Sequence, residues 1–301
     1  MHQRSLLVLT RQFHQSVEDE LIGGNVRVVR ITDAIRKKIA EDNAHQIANW
    51  DLYYSGYEHA FVNTYDPSER DDDEAEQEIV RAIVILKIIQ PFSSSLHLVL
   101  TAEGEPGEMR FMGHSRVGIG TKTYVCASDS DVWITRDHVR KARLMWPNIQ
   151  IVCQQWKEHR RILRALRFFE IAFSNFDGGI RHILFHSSLE TLLCTCKDYN
   201  TQQIRQRVLA ICSHGVTKED VRDITDMRAG LVHSGAIVEK AKGREEELIQ
   251  KLERILRACL YHVLSDSDCV ELFSDDEKLK KAFPVLVKEA ARVETGKEIY
   301  V

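Results

Sequence analysis

The sequence predicts an α+β chain, with a mixed α/β region over residues 1–148 followed by an all-α helical region over 149–301. Three observations predict it. Pro67, Pro91, Pro106 and Pro147 lie in the first half, and the next proline is Pro284. Between Asn148 and Phe283 apolar residues recur at helical spacing, and a proline-free stretch of this kind suits consecutive amphipathic helices. The first half instead carries short apolar and β-branched runs broken by glycine-rich turns. At 301 residues, two domains are the natural division.

Taken in order, Leu6–Thr10 and Val26–Ile31 read as strands joined across a Gly23-Gly24 turn. Thr32 reads as the N-cap of a helix over Asp33–Trp50, with Ile35, Ile39, Ala40 and Ile47 on its inner face. Residues 68–78 hold seven acids and one base. They read as a solvated loop and the acidic first turn of a helix over Glu74–Ile89, where carboxylates complement the helix dipole. A metal site is the alternative for such a run, although consecutive acids are usually only solvated. Strands follow near Leu96–Ala102, Arg110–His114 and Thr123–Ala127. Gly118-Ile119-Gly120 is a turn, lacking the third glycine and the strand-to-helix setting of a phosphate loop. A short helix over Arg136–Met145 closes the first half. The second half reads as helices over Trp156–Phe176, His182–Lys197 and Gln202–Ser213. Another opens on Thr217-Lys218-Glu219-Asp220, which has the form of a capping box, and ends at Ser234-Gly235. Glu245–Leu264 has Leu248, Leu252, Ile255, Leu256 and Leu260 on one face, and a terminal helix covers Asp275–Arg292.

Composition excludes several function classes. Apolar residues make up 44% and charged residues 29%, which is ordinary for a globular chain. The formal net charge is -4, and neither half is basic enough to announce nucleic acid by charge alone. The seven cysteines are odd in number and match no zinc spacing, so the expectation is reduced thiols in the cytoplasm, with no metal and no cofactor. Ser5–Thr10 is too short for the apolar core of a signal peptide, and no run approaches 18 apolar residues, so no membrane partner is expected.

The motif that carries chemistry is an arginine and a histidine five residues apart. With 25 Arg and 13 His in 301 residues, chance supplies about one such spacing, and the chain has three: Arg181/His186, Arg228/His233 and Arg257/His262. Spacing alone therefore decides nothing. Arg257 and His262 sit within a long helix and read as a rim charge and a helix-face histidine. Arg181 and His186 read as a turn residue and a partly buried histidine. Arg228/His233 differs, because its helix stops two residues after the histidine, at a glycine suited to a C-cap. A terminal histidine is stabilised as imidazolium there. The structural alternative is that Arg228 merely pairs with an acid such as Asp226 or Glu190 while His233 caps the helix. Five residues turn a helix through about 500°, which leaves the two side chains about 140° apart. Such a pair converges only at a helix terminus or across a two-fold axis.

The surrounding segments resemble the HEPN ribonucleases. Arg164–Phe173 is similar to that family's first core helix. His186-Ser187-Ser188-Leu189-Glu190-Thr191-Leu192-Leu193 is similar to its second, with an acid before a leucine pair. Ile204–Ala210 is similar to its arginine-bearing third. Arg228 through His233-Ser234-Gly235 falls where the family places its Arg-x4-6-His and following glycine. The resemblance is closest to the ApeA-like branch, which sets a mixed α/β region before the helices, and it covers about residues 155–265. It implies an all-α HEPN-like bundle, a homodimer, and metal-independent RNA cleavage in antiphage defence, released by a phage-derived or nucleotide trigger that residues 1–148 would sense as a regulatory domain. In that chemistry the ribose 2'-OH attacks the adjacent phosphate. His233 would move protons near neutral pH and Arg228 would hold the crowded phosphate, with Glu190, Asp226 and Ser234 in support. Lys157, Arg160, Arg164 and Arg167, at i, i+3, i+7 and i+10, form a basic stripe that suits an RNA backbone, or else a solvated helix face. Ala229 follows the arginine where many active members carry Asn, Asp or His. That departure favours the alternative, a non-catalytic HEPN module that binds nucleotide or RNA or scaffolds a dimer. A further alternative is an unrelated all-α interaction domain with a chance motif.

Overall fold

The computed structural model describes residues 3–10, 12–43, 57–92, 99–103, 110–111, 133–196, 200–212, 216–234 and 242–294, with the side chains of 43, 99, 233–234 and 288–294 excepted. The chain is α+β, and it divides into two compact units, Met1–Pro147 and Asn148–Val301.

Among the described residues the first unit is built on a six-stranded antiparallel sheet: β1 (Arg4–Thr10), β2 (Asp19–Gly23), β3 (Val26–Arg30), β4 (His59–Tyr65), β5 (Val99–Glu103) and β6 (Arg110–Phe111), in the order β2-β3-β4-β1-β5-β6. Two expectations are corrected here. The Gly24 turn, with φ of 56°, joins β2 to β3 rather than β1 to β3. The strand running between β1 and β3 is β4, which the sequence reading left out. Leu7 opposes Val62 and Leu100, and these side chains join Leu9, Ala60, Ala102 and Ile39 of helix α1 (Asp33–Asn43) in one core layer. The opposite face meets helix α2 (Asp72–Ile89), where Asn63 donates to the Ala75 carbonyl at 2.9 Å and to Glu78 at 3.0 Å. Both faces being covered explains why β1 is buried from Ser5 to Thr10 rather than alternating.

The helix caps follow the local chemistry. The Thr32 hydroxyl accepts from the Ile35 N–H at 3.3 Å, and Asp71 accepts from the Glu74 N–H at 2.8 Å. Helix α1 is described to Asn43, so Ile47 and the predicted end at Trp50 lie outside the described residues, as do Gly118–Gly120 and the Thr123–Ala127 strand. Helix α3 (Arg136–Gln154) does not stop at Met145, because buried Trp146, Ile149 and Val152 carry its apolar face past Pro147. Its first half is tied to β2 through Arg143, which donates to the Leu21 carbonyl at 2.8 Å, and through the Arg136–Glu20 pair at 2.6 Å.

The second unit continues with α4 (Arg160–Phe173), α5 (Gly178–Leu193), α6 (Asn200–Ile211), α7 (Lys218–Ser234), α8 (Glu245–Ser265), α9 (Ser267–Ser274) and α10 (Asp276–Glu294). The terminal helix of the sequence reading is thus preceded by a short extra one, α9, capped by Asp266. Helix α5 is central and packs against α4, α6, α7 and α8. Edge-to-face Phe169, Phe173 and Phe185 close the α4–α5 hairpin. The α5 C-terminal carbonyls are capped by Arg161, which donates to the Thr191 carbonyl at 2.9 Å and the Cys194 carbonyl at 2.6 Å, and by Arg207, which donates to the Leu193 carbonyl. Among the described residues no helix is long and apolar enough to cross a membrane.

Candidate functional site

Helix α7 begins as its sequence dictates. Thr217 Oγ1 accepts from the Asp220 N–H at 3.1 Å, and Asp220 Oδ2 accepts from the Thr217 N–H at 3.0 Å, which completes a reciprocal box. Lys251 of α8 reaches Asp220 at 2.7 Å and holds its carboxyl down at about 2. Val221, Ile224, Thr225 and Met227 form the buried face, and Arg222, Asp226, Ala229 and Val232 are exposed.

Arg228 stands at the margin between these faces. Its Nη2 lies 3.3 Å from Glu190 Oε1 and donates to Oε2 at 3.5 Å, with 30% and 19% of the two side chains exposed. Glu190 comes from the last turn of α5. Burial raises its pKa, and Arg228 opposes that rise without cancelling it. Nη2 is the one Arg228 nitrogen with a hydrogen bond among the described residues, and the segment 235–241 that follows α7 lies outside them.

Of the residues expected in support, Asp226 turns elsewhere. It accepts from Arg205 Nη2 of α6 at 2.8 Å, and the same guanidinium donates to Thr225 Oγ1 at 3.0 Å. Of the two candidate partners for Arg228, the structure pairs it with Glu190. His233 and Ser234 occupy the final two positions of α7, while their side chains, and Gly235, lie outside the described residues. Arg228 itself turns toward α5.

The other two pairs have different settings. Arg181 is not a turn residue. Asp177 caps α5 by accepting from the Ile180 N–H at 2.8 Å, the helix starts at Gly178, and Arg181 is 1% exposed within it. A Cβ on Gly178 would come 3.0 Å from Ile249 Cδ1, so the glycine lets α8 approach where a turn was expected. His186 is also fully buried. Its ring stacks on that of His182, one turn earlier, with centroids 6.3 Å apart, and its Nδ1 lies 3.7 Å from Glu190 Oε1. Neither ring has a hydrogen-bonded nitrogen among the described residues. Burial takes the His182 pKa down to about 4. The same effect, assisted by His182 and Arg228, takes His186 to about 3. Both rings are therefore neutral at physiological pH. The signal for this pair was the i, i+4 spacing inside the apolar run Ile183-Leu184-Phe185, and only one of the two histidines was considered from sequence. Arg257 pairs with Glu253 at 3.7 Å, and His262 is exposed.

The basic stripe is shorter than expected. Lys157 lies in the turn before α4, with its ammonium 5.5 Å from the Trp156 ring, while Arg160, Arg164 and Arg167 are exposed along α4 without an ion pair among the described residues. Helices α4 and α7 each pack on α5, so these arginines and Arg228 belong to different helices of one bundle. Among the described residues no cluster of His, Cys, Asp or Glu could hold a metal ion. No protein-family model, curated protein or solved structure matches the chain.

Proposed function

We propose that the chain is a HEPN-type endoribonuclease that cleaves RNA without metal, using Arg228 and His233, and that it acts in the cytoplasm as a toxin or antiphage effector. The observation that carries this reading is the Arg228 fork held by Glu190. Glu190 holds Nη2 of the guanidinium, and the planar, permanently charged fork, with its other nitrogens not bonded among the described residues, is suited to grip a phosphate.

The chemistry follows from the residue types. The 2'-hydroxyl loses its proton to a base as it attacks the adjacent phosphorus, and the 5'-oxygen takes a proton as it leaves. This yields a 2',3'-cyclic phosphate and a 5'-hydroxyl. An imidazole with an ordinary pKa of about 6.5 can serve either transfer, an aid typically worth about 10²–10⁴ in rate. Arg228 would hold the charge that builds on the phosphorane oxygens. Because five residues of helix set Arg228 and His233 about 140° apart, the two residues suit a two-fold homodimer in which each chain completes the other's pair. Arg160, Arg164 and Arg167, with Lys157 ahead of them, are the proposed backbone contacts. One observation favours a non-catalytic module that binds RNA or nucleotide: exposed Ala229 adds no polar group beside the arginine.

The test is cleavage of single-stranded RNA by the purified chain in excess EDTA, with the product ends identified. Cyclic phosphate ends, no cutting of DNA, and a loss of about 10² or more in His233→Ala are expected. Arg228→Lys should lose most activity as well, since a point charge cannot reproduce the fork. Rescue of EDTA-treated protein by magnesium, or equal cutting of DNA, overturns the mechanism. RNA binding without cleavage selects the module.

A further inference from the structure

Two thiols from different helices meet in the core of the second unit. Cys212 Sγ lies 3.5 Å from Cys259 Sγ, and the residues are 47 positions apart in sequence. Cys212 directly follows α6, and its N–H still donates to the Val208 carbonyl at 2.7 Å. Cys259 sits within α8 among buried Ile255, Leu256, Leu260 and Val263. Cys212 is 7% exposed and Cys259 is fully buried. A disulfide needs its sulfurs about 2.05 Å apart, so closure asks for roughly 1.5 Å of movement. Cys212, at a helix end, can supply it more readily than a residue inside a helix.

We propose that Cys212 and Cys259 form a redox-active dithiol that closes to an intrachain disulfide when the chain meets a peroxide. Of the two, Cys212 alone has any exposure and lies at a helix end, so it is the sulfur a peroxide meets first; the hydrogen bond with Cys259 lowers its pKa against the opposing effect of burial, while Cys259 is pushed up. The Cys212 thiolate attacks one peroxide oxygen, the O–O bond breaks, and the departing hydroxide takes the thiol proton as water. The sulfenic acid on Cys212 is then attacked by the Cys259 sulfur. The S–O bond breaks, and the hydroxyl leaves with the Cys259 proton as a second water. Two thiols lose two electrons in total, and one peroxide becomes two waters.

The bridge has a structural consequence that its position in the chain dictates. The segment between the two cysteines contains all of α7, including the Thr217–Asp220 box and Arg228. Closing it ties the end of α6 to the middle of α8 and encloses α7 in a covalent loop. Such a cross-link removes freedom from the unfolded chain, so the oxidised form resists unfolding more than the reduced one.

The experiment exposes the full-length chain to stoichiometric hydrogen peroxide, then unfolds and alkylates it without reductant and maps its peptides. Exposed Cys196 reports that the oxidant reached the protein. The expected result is a Cys212–Cys259 linked peptide, a mass loss of two hydrogens, and an upward shift of the melting temperature on the order of 5 °C or more. Cys212→Ser should remove both the linked peptide and the shift. Cys259→Ala should do the same, and if its buried site does not tolerate the change, Cys212→Ser at the helix end carries the test alone. Recovery of Cys212 and Cys259 as alkylated thiols while Cys196 is oxidised overturns the proposal. So does a bridge that joins Cys212 to any other cysteine.

Discussion

Replacing the buried histidine pair with leucines should flatten the acid sensitivity of the chain. His182 and His186 are 0% and 1% exposed, and in the folded protein they bind protons only near pH 4 and pH 3. In the unfolded chain each binds a proton below about pH 6.5. The sign follows directly. Between these values the unfolded state holds more protons, so the stability is fully present above pH 6.5 and is lost as pH falls toward 4 and then 3. The slope approaches about 1.4 kcal/mol per pH unit for each histidine, and from pH 7 to pH 5 the pair accounts for about 3–4 kcal/mol. Asp220 and Glu247, held down at about 2, begin to lose their contribution only below the ordinary carboxylate range, and Glu190, whose pKa is raised, has the opposite sign. His59 of the first unit, also lowered by burial, is common to both proteins and cancels in the comparison. Urea unfolding followed by far-ultraviolet circular dichroism at pH 7, 6 and 5 provides the assay. The His182→Leu/His186→Leu chain should match or exceed the parent at pH 7, because it loses four ring nitrogens that have no hydrogen bond among the described residues. It should then keep about 3–4 kcal/mol more than the parent on going to pH 5. Parallel pH profiles in the two proteins would refute the reasoning.

Other outcomes can be checked separately. Arg228→Ala should raise the Glu190 pKa further, since Arg228 is what opposes the effect of burial on it; an unchanged carboxyl titration by NMR would break the pairing. Thr217→Ala should cost about 1 kcal/mol in urea unfolding by removing the hydroxyl that accepts from the Asp220 N–H. Gly23→Ala should destabilise the first unit by about 1–3 kcal/mol or more, because its Cβ would fall 2.1 Å from Trp146 Cγ. His262→Ala, at an exposed position, should leave any RNA cleavage within a few-fold of the parent.

What the sequence made legible, and what it hid, divides along physical lines. Short-range chemistry was readable. Thr32, the Thr217–Asp220 box and the acidic start of α2 all act within one helical turn, and the structure places them within a residue or two of expectation. Pairing between distant segments was not. Strand β4 has both faces covered, so His59-Ala60-Phe61-Val62-Asn63-Thr64-Tyr65 shows no clean alternation, and buried Asn63 looks like a loop residue until the Ala75 carbonyl and Glu78 satisfy it. Pro147 was read as a boundary because a proline removes a helical N–H, but the apolar face on either side of it continues. Arg181 read as a turn residue, although Asp177 had already begun the helix.

The candidate site follows the same division. An acid preceding a leucine pair pointed to Glu190, and Glu190 is the residue that holds Arg228. Asp226, two residues from Arg228 in sequence, belongs to a different ion pair, because two positions on a helix face apart and Arg205 of α6 lies on its side. The histidine pair was hidden for a different reason. Periodicity arguments class histidine as polar, yet a buried neutral imidazole packs as an apolar ring, so His182 and His186 occupy core positions next to Phe185 and Leu189. Their neutrality matters to Arg228. A protonated His186 would put a second positive charge against Glu190, which already faces the arginine, and would compete for the carboxylate that anchors the fork. Burial prevents this down to about pH 3, so across the neutral range the Arg228–Glu190 contact meets no competing charge from His186.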